Sequence, residues 1–124
     1  MSEISLARLV KALDTLKRGY TDKPNELERD GLIQRFEYTL ELSWKTAKKV
    51  LQFNGIESDT PKNVVREMGQ LGWVESPEAW IDYIDKRNET SHMYNEEVAV
   101  KIFNVIKGFI HDAEKLIETL EGKK

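Results

Sequence analysis

The sequence predicts an all-α protein, an antiparallel up-down four-helix bundle with one extra short helix. Three observations carry this. Apolar residues recur at steps of three and four along nearly the whole chain, the spacing that places side chains on one face of a helix. No stretch alternates with period two for long enough to form a strand. Capping and turn residues divide the periodic chain into four long segments and one short one. With 124 residues, the chain has room for one core, so residues 1–124 read as a single domain.

The first helix is expected from about Ile4 to Tyr20, with Leu6, Leu9, Val10, Leu13, Leu16 and Tyr20 on its apolar face. Thr21-Asp22-Lys23-Pro24-Asn25 breaks it. Pro24 or Asn25 then opens a long second helix that stops near Asn54-Gly55. Its stripe is Ile33, Phe36, Leu40, Trp44, Ala47 and Leu51, with Gln34, Glu37, Glu41, Lys45 and Lys48 on other faces. Residues 55–60 form a loop. Asp59 or Thr60 caps a short helix that begins at Pro61, since proline suits the first helical position, and fades by Gly69–Gly72. Ser76 caps a fourth helix, with Pro77 next and Trp80, Ile81 and Ile84 on its buried side; it runs into Arg87–His92 and breaks near Tyr94-Asn95. The last helix is expected from about Glu96 to Leu120, about 37 Å at 1.5 Å per residue. Its apolar residues come in doublets (Val98/Ala99, Ile102/Phe103, Val105/Ile106, Phe109/Ile110, Leu116/Ile117). A stripe that wide suits a helix central to the bundle, or one that also meets a second subunit. A homodimer is therefore expected, because a large exposed apolar patch on a monomer is an aggregation hazard that twofold pairing removes.

Composition narrows the function classes. The 19 Lys+Arg and 22 Asp+Glu leave a net charge of −3, which argues against a dedicated duplex-DNA binder while leaving room for a local basic pocket. There is no cysteine, so disulfides, thiolate metal sites and a cysteine nucleophile are absent, and a reducing cytoplasm is the compartment that fits. Two histidines, His92 and His111, cannot build a multi-imidazole metal site. No apolar run approaches the ~20 residues of a membrane span. Met1-Ser2-Glu3-Ile4-Ser5 has no basic region followed by an apolar one, so no secretory leader is expected.

The chemistry-bearing stretch is Asp85-Lys86-Arg87-Asn88-Glu89-Thr90-Ser91-His92-Met93-Tyr94-Asn95-Glu96. It gathers a guanidinium, amides, an imidazole and a phenol, and is almost free of apolar residues between two amphipathic helices. On an ideal helix Arg87 and Tyr94, seven apart, share a face; His92 joins them only if the helix bends or ends there. Arginine offers a fork of donors suited to phosphate, and histidine exchanges protons near neutral pH. Together they can cleave RNA without metal: the imidazole handles the proton of the 2′-hydroxyl or of the leaving group, and the guanidinium stabilises charge on phosphorus. From spacing alone the alternative stands beside it, that Arg87 and His92 are polar residues at a helix end, His92 meeting the terminal carbonyls. Glu89-x-x-His92 matches half of a ferritin-like metal motif, but His111 has Gly108 three residues before it and no second half exists. His111 reads as surface or groove. Lys45, Lys48 and Lys49 read as a solvated helix face, and Trp44, Trp73 and Trp80 as core or interface, with base stacking disfavoured by the lack of a basic groove.

Arg87-x4-His92-x-Tyr94 resembles the Arg-x4-His-x-Tyr motif of HEPN domains (higher eukaryotes and prokaryotes nucleotide-binding). Arg87-Asn88-x-Thr90-Ser91-His92-x-Tyr94, with Gln34-x-Phe36-Glu37-x3-Glu41-x2-Trp44 on the second helix, is similar to the nucleotidyltransferase substrate-binding branch, which includes HepT-type toxins. The resemblance covers nearly the whole chain. It implies a helical bundle that dimerises with its two Arg/His segments across a cleft, and a small MNT-type nucleotidyltransferase as partner. It implies a metal-independent ribonuclease with Arg87 and His92 catalytic, no cofactor, and Tyr94 as the residue that the partner silences with AMP. Supporting or nucleotide-binding roles are implied for Asn88, Ser91, Glu37 and Glu41, with RNA or a nucleotide as ligand. Three readings follow: a HEPN ribonuclease toxin, a noncatalytic subunit that presents nucleotide or substrate to the nucleotidyltransferase, and a plain helical dimerisation domain.

Overall fold

In the computed structural model, which describes residues 4–124, the helices are α1 (Ala7–Gly19), α2 (Glu26–Phe53), α3 (Pro61–Gln70), α4 (Pro77–Asn88), α5 (Glu96–Asn104) and α6 (Ile106–Glu121), with one 3₁₀ turn at Thr90–His92. Among the described residues there is no strand. Met1, Ser2 and Glu3, on which part of the leader reading rests, lie outside the described residues. Among the described residues no helix is long and apolar enough to cross a membrane.

Local chemistry sets most boundaries. Asn25 and Glu28 form a reciprocal capping box, the Asn25 side chain accepting from the Glu28 N–H at 2.8 Å and the Glu28 carboxylate from the Asn25 N–H at 2.9 Å. Thr60 and Ser76 each accept a backbone N–H at 3.2 Å, and Pro61 and Pro77 follow them. Gly55 (φ +82°) and Gly72 (φ +75°) take the left-handed conformation that closes α2 and α3. There the Ile56 N–H reaches back to the Leu51 carbonyl at 2.9 Å, and that of Trp73 to Met68 at 2.8 Å.

Two expected boundaries move. The first helix begins at Ala7, not Ile4, because the Ser5 hydroxyl accepts the Ala7 N–H at 3.2 Å ahead of the first turn. The expected single helix over 96–120 is two. Asn104, Val105 and Ile106 are successive weak helix formers, and at Val105 (φ −92°, ψ −10°) the chain tightens, its N–H donating to the Ile102 carbonyl at 3.2 Å. The buried stripe nevertheless runs unbroken through the joint as Ile102, Ile106, Phe109, Ala113, Leu116 and Leu120.

The hub is α2, which packs against α1, α3, α4, α5 and α6; the last segment does not take that place. At the centre Phe36 meets Phe109 edge-on at 5.1 Å, and Phe109 meets Tyr83 at 5.4 Å and Trp80 at 5.7 Å. The Tyr83 hydroxyl donates to Asp112 at 2.5 Å. Of the doublets, Val98, Phe103, Val105 and Ile117 are half-buried against this core within one chain. The wide stripe is thus largely covered without a second subunit, and the reason for expecting a dimer passes from that stripe to the chemistry considered below. Val10, placed on the core stripe of the first helix, is 46% exposed, and Trp44 and Ile81 are half-buried.

Candidate functional site

Apolar residues stop at Ile84, so the last turn of α4 has nothing more to bury. Its side chains pair locally: Lys86 with Asp82 at 2.8 Å, and Asp85 with Lys62 of α3 at 2.8 Å. The basic pair Lys86-Arg87 also suits the negative end of the helix dipole. Past Asn88 the chain tightens into the 3₁₀ turn, the His92 N–H donating to the Glu89 carbonyl at 2.9 Å. Met93 is half-buried and anchors the connection to the core. Asn95 then caps α5, accepting from the Glu97 and Val98 N–H groups at 2.9 and 3.3 Å.

The Arg87 guanidinium lies against α2, with Nη2 3.7 Å from Glu41 Oε2. That is an ion-pair distance too long for a hydrogen bond, so Glu41 does not consume the outer donors of the fork. Arg87 Nε is buried without a partner. Asn88, Ser91 and His92 are exposed, and Tyr94 is 84% exposed. The His92 and Tyr94 rings lie 6.1 Å apart at 70°. Because α4 ends at Asn88, the shared face of an ideal helix over 87–94 does not form; Tyr94 faces His92 instead. Among the described residues no hydrogen bond joins Arg87 to His92.

Glu37 and Glu41 hold this segment to α2. The Thr90 hydroxyl lies 3.0 Å from Glu37 Oε2 and 2.8 Å from the Arg87 carbonyl, and its one proton serves either acceptor. Glu41 accepts from the Trp44 indole N–H at 3.3 Å and pairs with Lys45 at 3.1 Å. Partial burial pushes the Glu41 carboxyl up, but the Lys45 and Trp44 bonds and the charges of Lys45 and Arg87 outweigh it and hold the group below its usual range. Leu40, Glu41, Trp44, Pro61, Ile84, Arg87 and Asn88 line a cleft of about 220 Å³. A guanidinium, an amide and an indole thus face one small space, with an exposed imidazole and phenol on the turn beyond. Such a set can bind phosphate, stack on a base and move a proton. Among the described residues no three His, Asp or Glu side chains cluster as metal ligands. His111 is exposed on α6.

Two features escape sequence reading. The Thr90 tether to Glu37 spans 53 positions, and nothing in either residue's spacing announces it. Trp44 proves to be a cleft wall; its place beside Glu41 was visible, its partial exposure was not.

A family model described as nucleotidyltransferase substrate binding protein like matches residues 3–122. A Haemophilus influenzae protein named "Probable ribonuclease HepT" is 36% identical over 98 residues, covering 75% of this chain and 67% of that protein. A crystal structure from Thermus thermophilus superposes with a TM-score of 0.87 at 34% identity, covering 90% of this chain and 98% of that one. A Haemophilus influenzae structure, described as revealing the fold of a substrate binding domain of a nucleotidyltransferase, superposes with a TM-score of 0.82 at 29% identity, covering 94% and 99%.

Proposed function

The chain belongs to the nucleotidyltransferase substrate-binding-like family, and from that premise we propose that it is the partner of a minimal nucleotidyltransferase and itself a metal-independent RNA endonuclease of the toxin type. The observation that carries this reading is Arg87 at the end of α4, lining the cleft, with His92 and Tyr94 on the exposed turn that follows, which is pinned to α2 through Thr90 and Glu37. A helix end that served only as a cap has no need of an exposed imidazole beside an 84% exposed phenol.

The chemistry is a transesterification. An imidazole takes the proton of the 2′-hydroxyl, the 2′-oxygen bonds to phosphorus, and the P–O5′ bond breaks. The 5′-oxygen receives a proton, leaving a 2′,3′-cyclic phosphate and a 5′-hydroxyl. Arg87, whose outer donors are free, stabilises charge gathering on the phosphoryl oxygens. Two protons move, and each chain brings one imidazole to this turn. A homodimer that sets two His92 rings across one cleft supplies one base and one acid. The partner silences the site by AMP transfer: the Tyr94 phenol oxygen bonds to the α-phosphorus of ATP, pyrophosphate leaves and the phenol loses its proton. Asn88, which lines the cleft, and Ser91, exposed on the turn beyond, suit contacts to the ribose or phosphate.

The test compares wild type, His92→Ala and Tyr94→Phe, each free of partner, with chelator present. His92→Ala should lose at least ~10²-fold in RNA cleavage, the usual size for a positioned proton-transfer group, with its helical content unchanged. Tyr94→Phe should escape AMP transfer. Cleavage that persists in His92→Ala refutes the catalytic assignment. The second reading, a noncatalytic substrate-binding subunit, is favoured by the missing hydrogen bond between Arg87 and His92. A wild type that binds nucleotide and cleaves nothing establishes it.

A further inference from the structure

Beside the cleft, on the far side of Trp44, lies a second and larger trough of about 420 Å³ between α1 and α2. Arg8 of α1 and Lys45, Lys48 and Lys49 of α2 line it, together with Trp44 and Gln52. Among the described residues no carboxylate lines it, although the chain as a whole carries a net charge of −3. Lys45 is paired with Glu41; Arg8, Lys48 and Lys49 have no ion pair among the described residues. The sequence alone shows three lysines on a solvated helix face. Folding adds an arginine from about 40 positions away and sets an indole at one end.

We propose that this trough is the track for the backbone of single-stranded RNA, leading a strand past Trp44 into the Arg87 cleft. The inference rests on the RNA reading above and extends it from the cut phosphate to the strand on one side of it. Trp44 walls both spaces, so they adjoin across its indole. From Lys45 to Gln52 the trough follows about 10 Å of helix axis, room for neighbouring phosphates. An aromatic face beside a cationic groove is the pattern by which single strands are held without regard to sequence. A protein partner fits this surface less well. Protein interfaces are depleted in lysine, and four cations, against the two apolar side chains Leu42 and Trp44, line this trough.

The test is equilibrium binding of a fluorescently labelled oligouridylate of about 12 nucleotides, measured by anisotropy across a range of salt. The triple variant Arg8→Gln, Lys48→Gln, Lys49→Gln is compared with wild type. Each lost phosphate contact on a single strand lowers the steepness of log K against log salt by about 0.7, so the triple variant should lose about 2 from that slope. The substitutions are on the surface, and circular dichroism checks that the fold is kept. No measurable binding by wild type, or a slope that the triple variant leaves unchanged, overturns the track, whether or not the wild type cleaves RNA. A slope that falls in a protein that cleaves nothing upholds the track and removes only the catalytic reading. Unchanged RNA binding with loss of co-elution with a nucleotidyltransferase would make the trough a protein dock and overturn the proposal.

Discussion

Thr90→Val is a near-isosteric change that removes one hydroxyl and nothing else. That hydroxyl faces Glu37 at 3.0 Å and the Arg87 carbonyl at 2.8 Å. A hydrogen bond to a charged group contributes about 1.5–3 kcal/mol net. Both Thr90 and Glu37 are only half-buried, and water can replace part of the bond, so the expected loss is about 1–2 kcal/mol. Unfolding entropy near 2.1 cal/mol/K per residue, over 124 residues, converts this to a fall in Tm of about 4–8 °C. Urea unfolding should show a lower midpoint with an unchanged m-value, because the fold and its buried surface persist. The decisive measurement is the double-mutant cycle with Glu37→Ala. If the pair is a real tether, the double variant should be about 1 kcal/mol more stable than the sum of the single losses predicts. Additivity to within about 0.3–0.5 kcal/mol would mean that the two side chains do not interact, and the account of how the turn is held would fail.

Three further expectations concern other parts of the molecule. A Cβ on Gly69 would run into the ring of Pro77, whereas one on Gly31 meets nothing within 4 Å; Gly69→Ala should therefore lose about 1–3 kcal/mol in urea unfolding and Gly31→Ala gain about 0.5–1 kcal/mol. The folded-state pKa of Glu41 is lowered, so its stabilising contribution is present above the ordinary carboxylate range and is lost as pH falls through the folded value; wild type should exceed Glu41→Gln in stability at neutral pH, and the gap should close in acid. Burial, then the bond to Asp112 and the charges of Asp112 and Asp82, push the Tyr83 phenol well above its usual range. Its contribution is complete below pH 10 and is lost as pH rises further, so one tyrosine in an alkaline absorbance titration should ionise only as the fold gives way, and that step should vanish in Tyr83→Phe.

Most helix boundaries were legible because they are written locally. Asn25, Thr60-Pro61, Ser76-Pro77 and Asn54-Gly55 each act within a few residues, through caps and left-handed glycines that need no tertiary partner. The joint at Val105 was not legible: no proline marks it, and the apolar stripe passes through it at its ordinary step. The polar segment over residues 85–96 was legible from its composition. What holds it was not, since Glu37 meets Thr90 only after α2 and α4 have packed. Trp44 sits at a core-stripe position yet is half-exposed, because α3 and α4 approach α2 there without closing over it.

The joint at Val105 also divides the protein's cooperativity. The nine residues of α5 form a helix too short to persist alone in water, where ~12–15 residues are marginal. It stays folded through its Asn95 cap, the 2.7 Å pair between Arg29 and Glu96, and the burial of Ala99 and Ile102. Across the joint, α6 is locked by Phe109 into the aromatic centre. The amides of residues 99–104 should therefore exchange with deuterium through a local opening, and those of residues 110–120 only through global unfolding. His92 and Tyr94 hang from the piece that opens first. The turn that carries them can therefore be displaced at a free-energy cost set by a short helix while the rest of the bundle stays intact.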